Sequence, residues 1–229
     1  MKTNYSPSVN IIRDQTKSVH YIVTPNSKRI INQIQDEFDK GLRSFNLIGS
    51  YGTGKSSFLL ALEQSLLKFH PHFDLLSFKN SKVAVFKVVG SYNSIIKSFA
   101  EQLDVISEKH EIENILSELF NRYHSLGLNG SLLVIVIDEL GKFLEYAAKN
   151  EPERELYFLQ QLAEFANNSK HQILLLTTAH QNFDSYSYEM SKLLRQEWTK
   201  VRGRFKELTF NEPVEQLLYL ASEHISQLS

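Results

Sequence analysis

Gly49-Ser50-Tyr51-Gly52-Thr53-Gly54-Lys55-Ser56 is the stretch on which the reading of this chain turns. It fits the pattern G-x-x-x-x-G-K-[ST] and lies between an apolar run ending at Ile48 and a helical pattern over residues 57–66. That strand, loop, helix setting is the one the pattern needs. A polyphosphate is cradled by successive backbone N–H groups pointing inward, which calls for backbone angles that side chains disfavour, and the next helix N-terminus adds a favourable dipole. Gly49, Gly52 and Gly54 meet the first need, and Ser50, Tyr51 and Thr53 complete the loop. Lys55 is then expected to reach the β- and γ-phosphates of ATP, Ser56 to ligate Mg²⁺ and Ser57 to hydrogen-bond phosphate. Average residue usage gives such a match by accident in roughly one chain per hundred of this size, and correct flanks make it rarer.

Ser131-Leu-Leu-Val-Ile-Val-Ile-Asp138-Glu139 has the pattern of a buried strand ending in two carboxylates. Ligands of parallel sheets bind at the carboxyl ends of strands. Asp138 is expected to hold the Mg²⁺ shell through water, and Glu139 to accept a proton from the attacking water. A further apolar run, Ile173-Leu-Leu-Leu-Thr177-Thr178, leads into Ala179, His180 and Gln181. Thr178 or His180 is expected to position the water, and the residues alone do not choose between them.

Strand patterns at Ser44–Ile48 and at residues 83–89, 132–137, 173–177 and 207–210 alternate with helical ones. Several strands carry apolar residues at consecutive positions, as strands covered on both faces do. Helix faces are marked by Ile30, Ile34 and Phe38, by Ile95, Phe99 and Leu103, by Phe158, Leu162 and Phe165, and by Met190, Leu194 and Trp198. The alternation predicts an α/β fold with a parallel sheet between helical layers. Residues 15–18 and 107–113 read as loops or exposed helix. The chain divides into a polar lead-in at 1–20, a core at 21–212, and a final helical pattern at 213–229 expected to open a further helical subdomain.

The 229 residues suffice for one α/β domain burying roughly 70–75% of its unfolded surface. Lys and Arg total 25 against 26 Asp and Glu, a net charge of -1, so overall charge does not indicate DNA, although a local patch escapes such a count. The absence of cysteine removes disulfides, thiolate-bound zinc and thiol catalysis. The start carries no apolar segment of signal-peptide length, and no apolar run approaches the ~20 residues that span a bilayer. A cytoplasmic protein with no membrane contact is the expectation.

Further on, Val201-Arg202-Gly203-Arg204-Phe205 precedes the last strand pattern. The order of phosphate loop, Asp-Glu strand, polar-ended strand and Gly-Arg-Phe resembles the AAA+ ATPases from Tyr21 to about Ala221. The resemblance implies a P-loop NTPase sandwich of three layers with a mainly parallel five-stranded sheet, homo-oligomers or larger complexes, and Arg204 as a finger on a neighbouring subunit's γ-phosphate. The family's companion arginine falls at Val201, so Arg202 departs from the pattern. The resemblance also implies that the segment at Tyr21 contacts adenine. More narrowly, Ile48–Phe58 as written above, Ile-Asp-Glu-Leu-Gly-Lys-Phe143 and Ala179-His-Gln are similar to large bacterial ATPases of BREX-type phage-defence clusters.

Two functions compete. One is an Mg²⁺-dependent ATPase whose turnover moves attached domains or a partner. The other is a nucleotide-gated switch with little or no hydrolysis. A nucleotide or small-molecule kinase fits less well, since no arginine-rich lid is evident and Glu139 suits water activation.

Overall fold

The structure, a computed structural model, describes residues 9–16, 21–79, 81–106, 111–127, 130–168, 170–187 and 192–211. The strands β1 (Ser44–Ile48), β2 (Lys82–Val89), β3 (Ser131–Asp138), β4 (Ile173–Ala179) and β5 (Lys206–Thr209) form one sheet in the order β2-β3-β4-β1-β5. Every neighbouring pair is parallel. Two strands run further than the apolar pattern suggests because backbone pairing continues past the last apolar side chain. The Gly90 N–H donates to the Asp138 carbonyl at 2.7 Å, and Ala179 pairs with Ile48.

Consecutive apolar residues serve opposite faces, as expected for a sheet covered on both sides. Leu132, Val134 and Val136 of β3 pack with α1 (Pro25–Asp39) and α2 (Lys55–Leu66). Leu133, Ile135 and Ile137 pack in the second core with α3 (Ile95–Gln102), α4 (Glu111–Ser125), α5 (Leu140–Ala147) and α6 (Pro152–Asn167). The short α7 (Phe183–Tyr186) and α8 (Lys192–Arg202) close this side, where Trp198 donates its ring N–H to the Phe183 carbonyl at 2.7 Å. Between β1 and β4 a polar pair is buried: Thr177 donates its hydroxyl to Asn46 Oδ1 at 2.9 Å.

α1, α3 and α7 begin where the sequence supplies a side-chain cap. Thr24 at the N-cap and Ser27 at the third helical position form a reciprocal capping box around Pro25, the first residue of α1. Residues 107–113 read as polar, yet from Glu111 the chain is already α4, which buries Ile112, Ile115, Leu119 and Tyr123. Its first turn is acidic and its last turn basic, which complements the helix dipole. Residues 9–16 also depart from a polar lead-in. Asn10 Oδ1 accepts the N–H groups of Ile12 and Arg13, and the resulting turn buries Ile11 completely. Met190 and the helical pattern at 213–229 lie outside the described residues. Among the described residues no helix is long and apolar enough to cross a membrane.

α3 is capped from two sides. Ser94 Oγ accepts the Lys97 N–H at 3.2 Å, and the buried Glu155 of α6 accepts the Ile95 N–H at 3.0 Å. Burial pushes the Glu155 carboxyl above its ordinary value, against the hydrogen bonds from Ser94 and the α3 backbone. The folded chain therefore holds this proton more firmly than the unfolded one across the carboxylate range, and unfolding free energy falls as pH rises through that range. Glu155→Gln keeps an acceptor for Ile95 and is expected to flatten that slope, read as wild-type minus variant melting temperature between about pH 4 and 7.

Candidate functional site

β1 ends between β4 and β5, so the chain leaving Ile48 emerges at the carboxyl edge of the sheet. The Gly49 N–H donates to the Ala179 carbonyl at 3.1 Å, and the loop then turns into α2. Gly52 and Gly54 stand at φ 77° and 89°, in the left-handed region where a side chain is strained. Gly54 is also the N-cap of α2 and has no side chain to satisfy the first-turn N–H groups, which stay available to an anion. Lys55 bends back over the loop and donates to the carbonyls of Gly49 and of Ser50, the latter at 2.8 Å. Thr53 donates its hydroxyl to the same Ser50 carbonyl at 2.9 Å. Burial pushes the Lys55 ammonium below its ordinary value, while Asp138 and Glu139 act to raise it.

The two strand-end carboxylates meet the loop but differ in setting. Asp138 is 3% exposed and accepts from Ser56 Oγ at 2.8 Å and from Thr178 Oγ1 at 2.6 Å. Burial pushes its carboxyl up, and both hydrogen bonds pull it down. Glu139 takes a left-handed φ of 57° as the N-cap of α5, and its N–H donates to Thr178 Oγ1 at 2.9 Å. One buried hydroxyl thus fixes the Asp138 carboxylate and the Glu139 backbone together. The half-exposed Glu139 carboxylate forms an ion pair with Lys142 of α5 and holds that ammonium above its ordinary value.

A cavity opens between these groups, lined by Tyr51 to Ser57 of the loop, by Asp138 and Glu139, and by Thr178 to His180. Apart from Gly49 and Ser50, the expected phosphate, metal and water-handling residues therefore share one space. Val9 lines it as well, and nothing in the local sequence signals that. Lys142 could have been found from the sequence, since it stands three positions after Glu139 at the start of a helix, a spacing that brings side chains together. His180 stacks its ring on Tyr51, with centroids 4.7 Å apart and planes 23° apart.

Two expected residues lie elsewhere. Tyr21 packs its ring against Phe58, His72 and Phe73 and does not line the cavity. Arg204 precedes β5, which runs parallel to β1, so it sits at the opposite edge of the sheet from the loop that follows β1. There it donates through Nε to Glu164 at 2.8 Å and through Nη1 to the Lys200 carbonyl at 2.6 Å. Arg202 pairs with Asp184, and Val201 is buried in the core.

No protein-family model matches the sequence, and no relative is found among curated proteins. Solved structures do match. The ORC2 protein of Aeropyrum pernix in its ADPNP-ADP complexes aligns with a TM-score of 0.59 at 14% identity, covering 93% of this chain and 55% of that one. PCH-2 of C. elegans aligns at 0.52 and 13%, covering 94% and 51%. DnaI aligns at 0.51 and 12%, covering 86% and 93%. The chain thus spans about half the length of the first two. The fold is the α/β P-loop NTPase fold of the AAA+ type.

Proposed function

We propose that this chain binds ATP in the cavity above the phosphate loop and hydrolyses it in the presence of Mg²⁺. The observation that carries the reading is the hydrogen-bonded row Ser56, Asp138, Thr178, which joins the first turn of α2 to the ends of β3 and β4. Hard oxygen donors in small number suit Mg²⁺, which keeps most of its water and takes one or two protein ligands. Ser56 and Asp138 would hold the ion, and when bound it neutralises charge on the phosphate oxygens. Lys55 supplies a second cation to the phosphates. Glu139, whose carboxylate borders the cavity, takes the proton from the attacking water. Thr178 orients both acidic residues, since its hydroxyl already serves each of them.

Arg204 is separated from its own phosphate loop by the length of the sheet, so as a finger it acts on a second copy of the chain. That the Aeropyrum pernix neighbour was solved with ADPNP and ADP supports a nucleotide in this fold. The likeness of the motifs to BREX-type ATPases is the ground for placing the turnover in a larger bacterial, cytoplasmic assembly of phage defence. In that assembly residues 21–212 form the core. Tyr21 backs Phe58 of α2 with its ring, and the backbone of the segment it opens contacts adenine in this reading.

The ion pair between Glu139 and Lys142 favours a second reading. A carboxylate held by Lys142 has to leave that partner before it can meet an attacking water, and a domain left in that state binds nucleotide as a switch. Phosphate release from Mg²⁺-ATP over a protein concentration series separates the two. Specific activity that climbs with concentration, and a flat line in Arg204→Ala, is the result expected of the ATPase. Tight binding without phosphate release at any concentration supports the switch.

A further inference from the structure

We infer that His180 is a positioning residue that clamps the phosphate loop through Tyr51, and that its ring does not orient water. The inference rests on the nucleotide-binding reading of the loop and is independent of hydrolysis. Tyr51 is the third residue of the loop and is 68% exposed, yet its ring lies flat against His180 at the end of β4. Both nitrogens of the imidazole are turned to helices beyond the cavity: Nδ1 is 3.4 Å from the Tyr186 hydroxyl of α7, and Nε2 is 3.8 Å from Glu145 of α5. Burial keeps the Tyr186 hydroxyl protonated. A hydroxyl that donates to Nδ1 leaves the Nε2 proton facing Glu145.

The ring is also fixed from behind. A Cβ on Gly141 would stand 2.2 Å from the Tyr186 hydroxyl and 3.2 Å from His180 Cε1, so the first turn of α5 closes on this pair at a point where only glycine fits. Loop, strand end and two helices thus converge on one aromatic stack. The loop needs such a fastening because its three glycines carry more chain entropy than other residues. Ordering it before nucleotide arrives removes part of the cost of binding.

The test is the affinity for Mg²⁺-ATP, measured by calorimetric titration, together with amide exchange of the loop in nucleotide-free protein. Tyr51→Ala and His180→Ala are each expected to bind about three- to tenfold more weakly, the worth of an aromatic pair, and to exchange faster at residues 50–54. The double variant is expected to be no worse than either single one, since both remove the same contact. Tyr51→Phe and His180→Phe keep two rings and are expected to restore both readouts. His180→Phe that behaves as His180→Ala, or alanine variants that match the wild type in both measurements, would overturn the clamp. Failure of the nucleotide-binding reading is seen separately, as wild-type protein that does not bind Mg²⁺-ATP, and exchange rates still decide whether the stack holds the loop.

Discussion

Lys55→Ala is expected to weaken ATP binding by at least about a hundredfold while leaving the fold intact. The lysine supplies an ammonium over the phosphate loop, and hydrogen bonds from a charged donor contribute about 1.5–3 kcal/mol each, so two of them to phosphate oxygens account for about two orders of magnitude or more. Its own partners in the structure are the carbonyls of Gly49 and Ser50. The side chain itself lines the cavity, where water enters in its place, and no packed apolar group is removed with it. Fluorescence titration with an ATP analogue measures the affinity. The melting temperature without nucleotide should match the wild type, and the rise that saturating nucleotide gives the wild type should vanish. Affinity equal to the wild type would sink the assignment of the loop.

Glu139→Gln separates chemistry from binding. Removal of a general base lowers turnover by about 10²–10⁴-fold, and the amide keeps the size and one acceptor of the carboxylate. The backbone of residue 139 is held independently of its side chain, by Thr178 and by its place at the start of α5, so the geometry around Asp138 should persist. Loss of the pair with Lys142 should change stability little, because both side chains are about two-fifths exposed. The expected outcome is a protein that retains ATP and releases phosphate at a rate reduced by two orders of magnitude or more. Unreduced phosphate release in this variant would remove Glu139 from the reaction and leave the proton to another acceptor.

The fold was legible in the sequence where side chains of one kind repeat. Leu132 to Ile137 announce a strand buried on both faces, and all five strands stand within two residues of the predicted patterns. Strand ends were less legible, because Asp138 and Ala179 stay in the sheet through backbone pairing that side chains do not report. α4 was hidden by its acidic first turn, since polar residues suit both a loop and the dipole of a helix start. In the candidate site, the loop and the acidic pair could be named from local pattern. What converges from afar could not. Val9 reaches the cavity from 40 residues before the loop begins. Tyr186 reaches His180 by the return of α7, and neither contact has a local signature.

The buried pair of Asn46 and Thr177 bears on how the chain avoids misassembly. Both strands are rich in interchangeable apolar residues, so packing alone discriminates weakly between neighbouring alignments of β1 against β4. In the observed register Asn46 lies opposite Thr177, which sets Leu47 against Thr178 and Ile48 against Ala179. A slip of one residue turns every side chain of a strand to the other face and parts the two polar groups in a dry interior. An orphaned buried group costs about 1–3 kcal/mol. The pair therefore acts as an alignment key. It contributes little to the depth of the native state and raises the energy of the misaligned ones, so that the loop after β1 and the hydroxyl at the end of β4 arrive level with each other each time the chain folds.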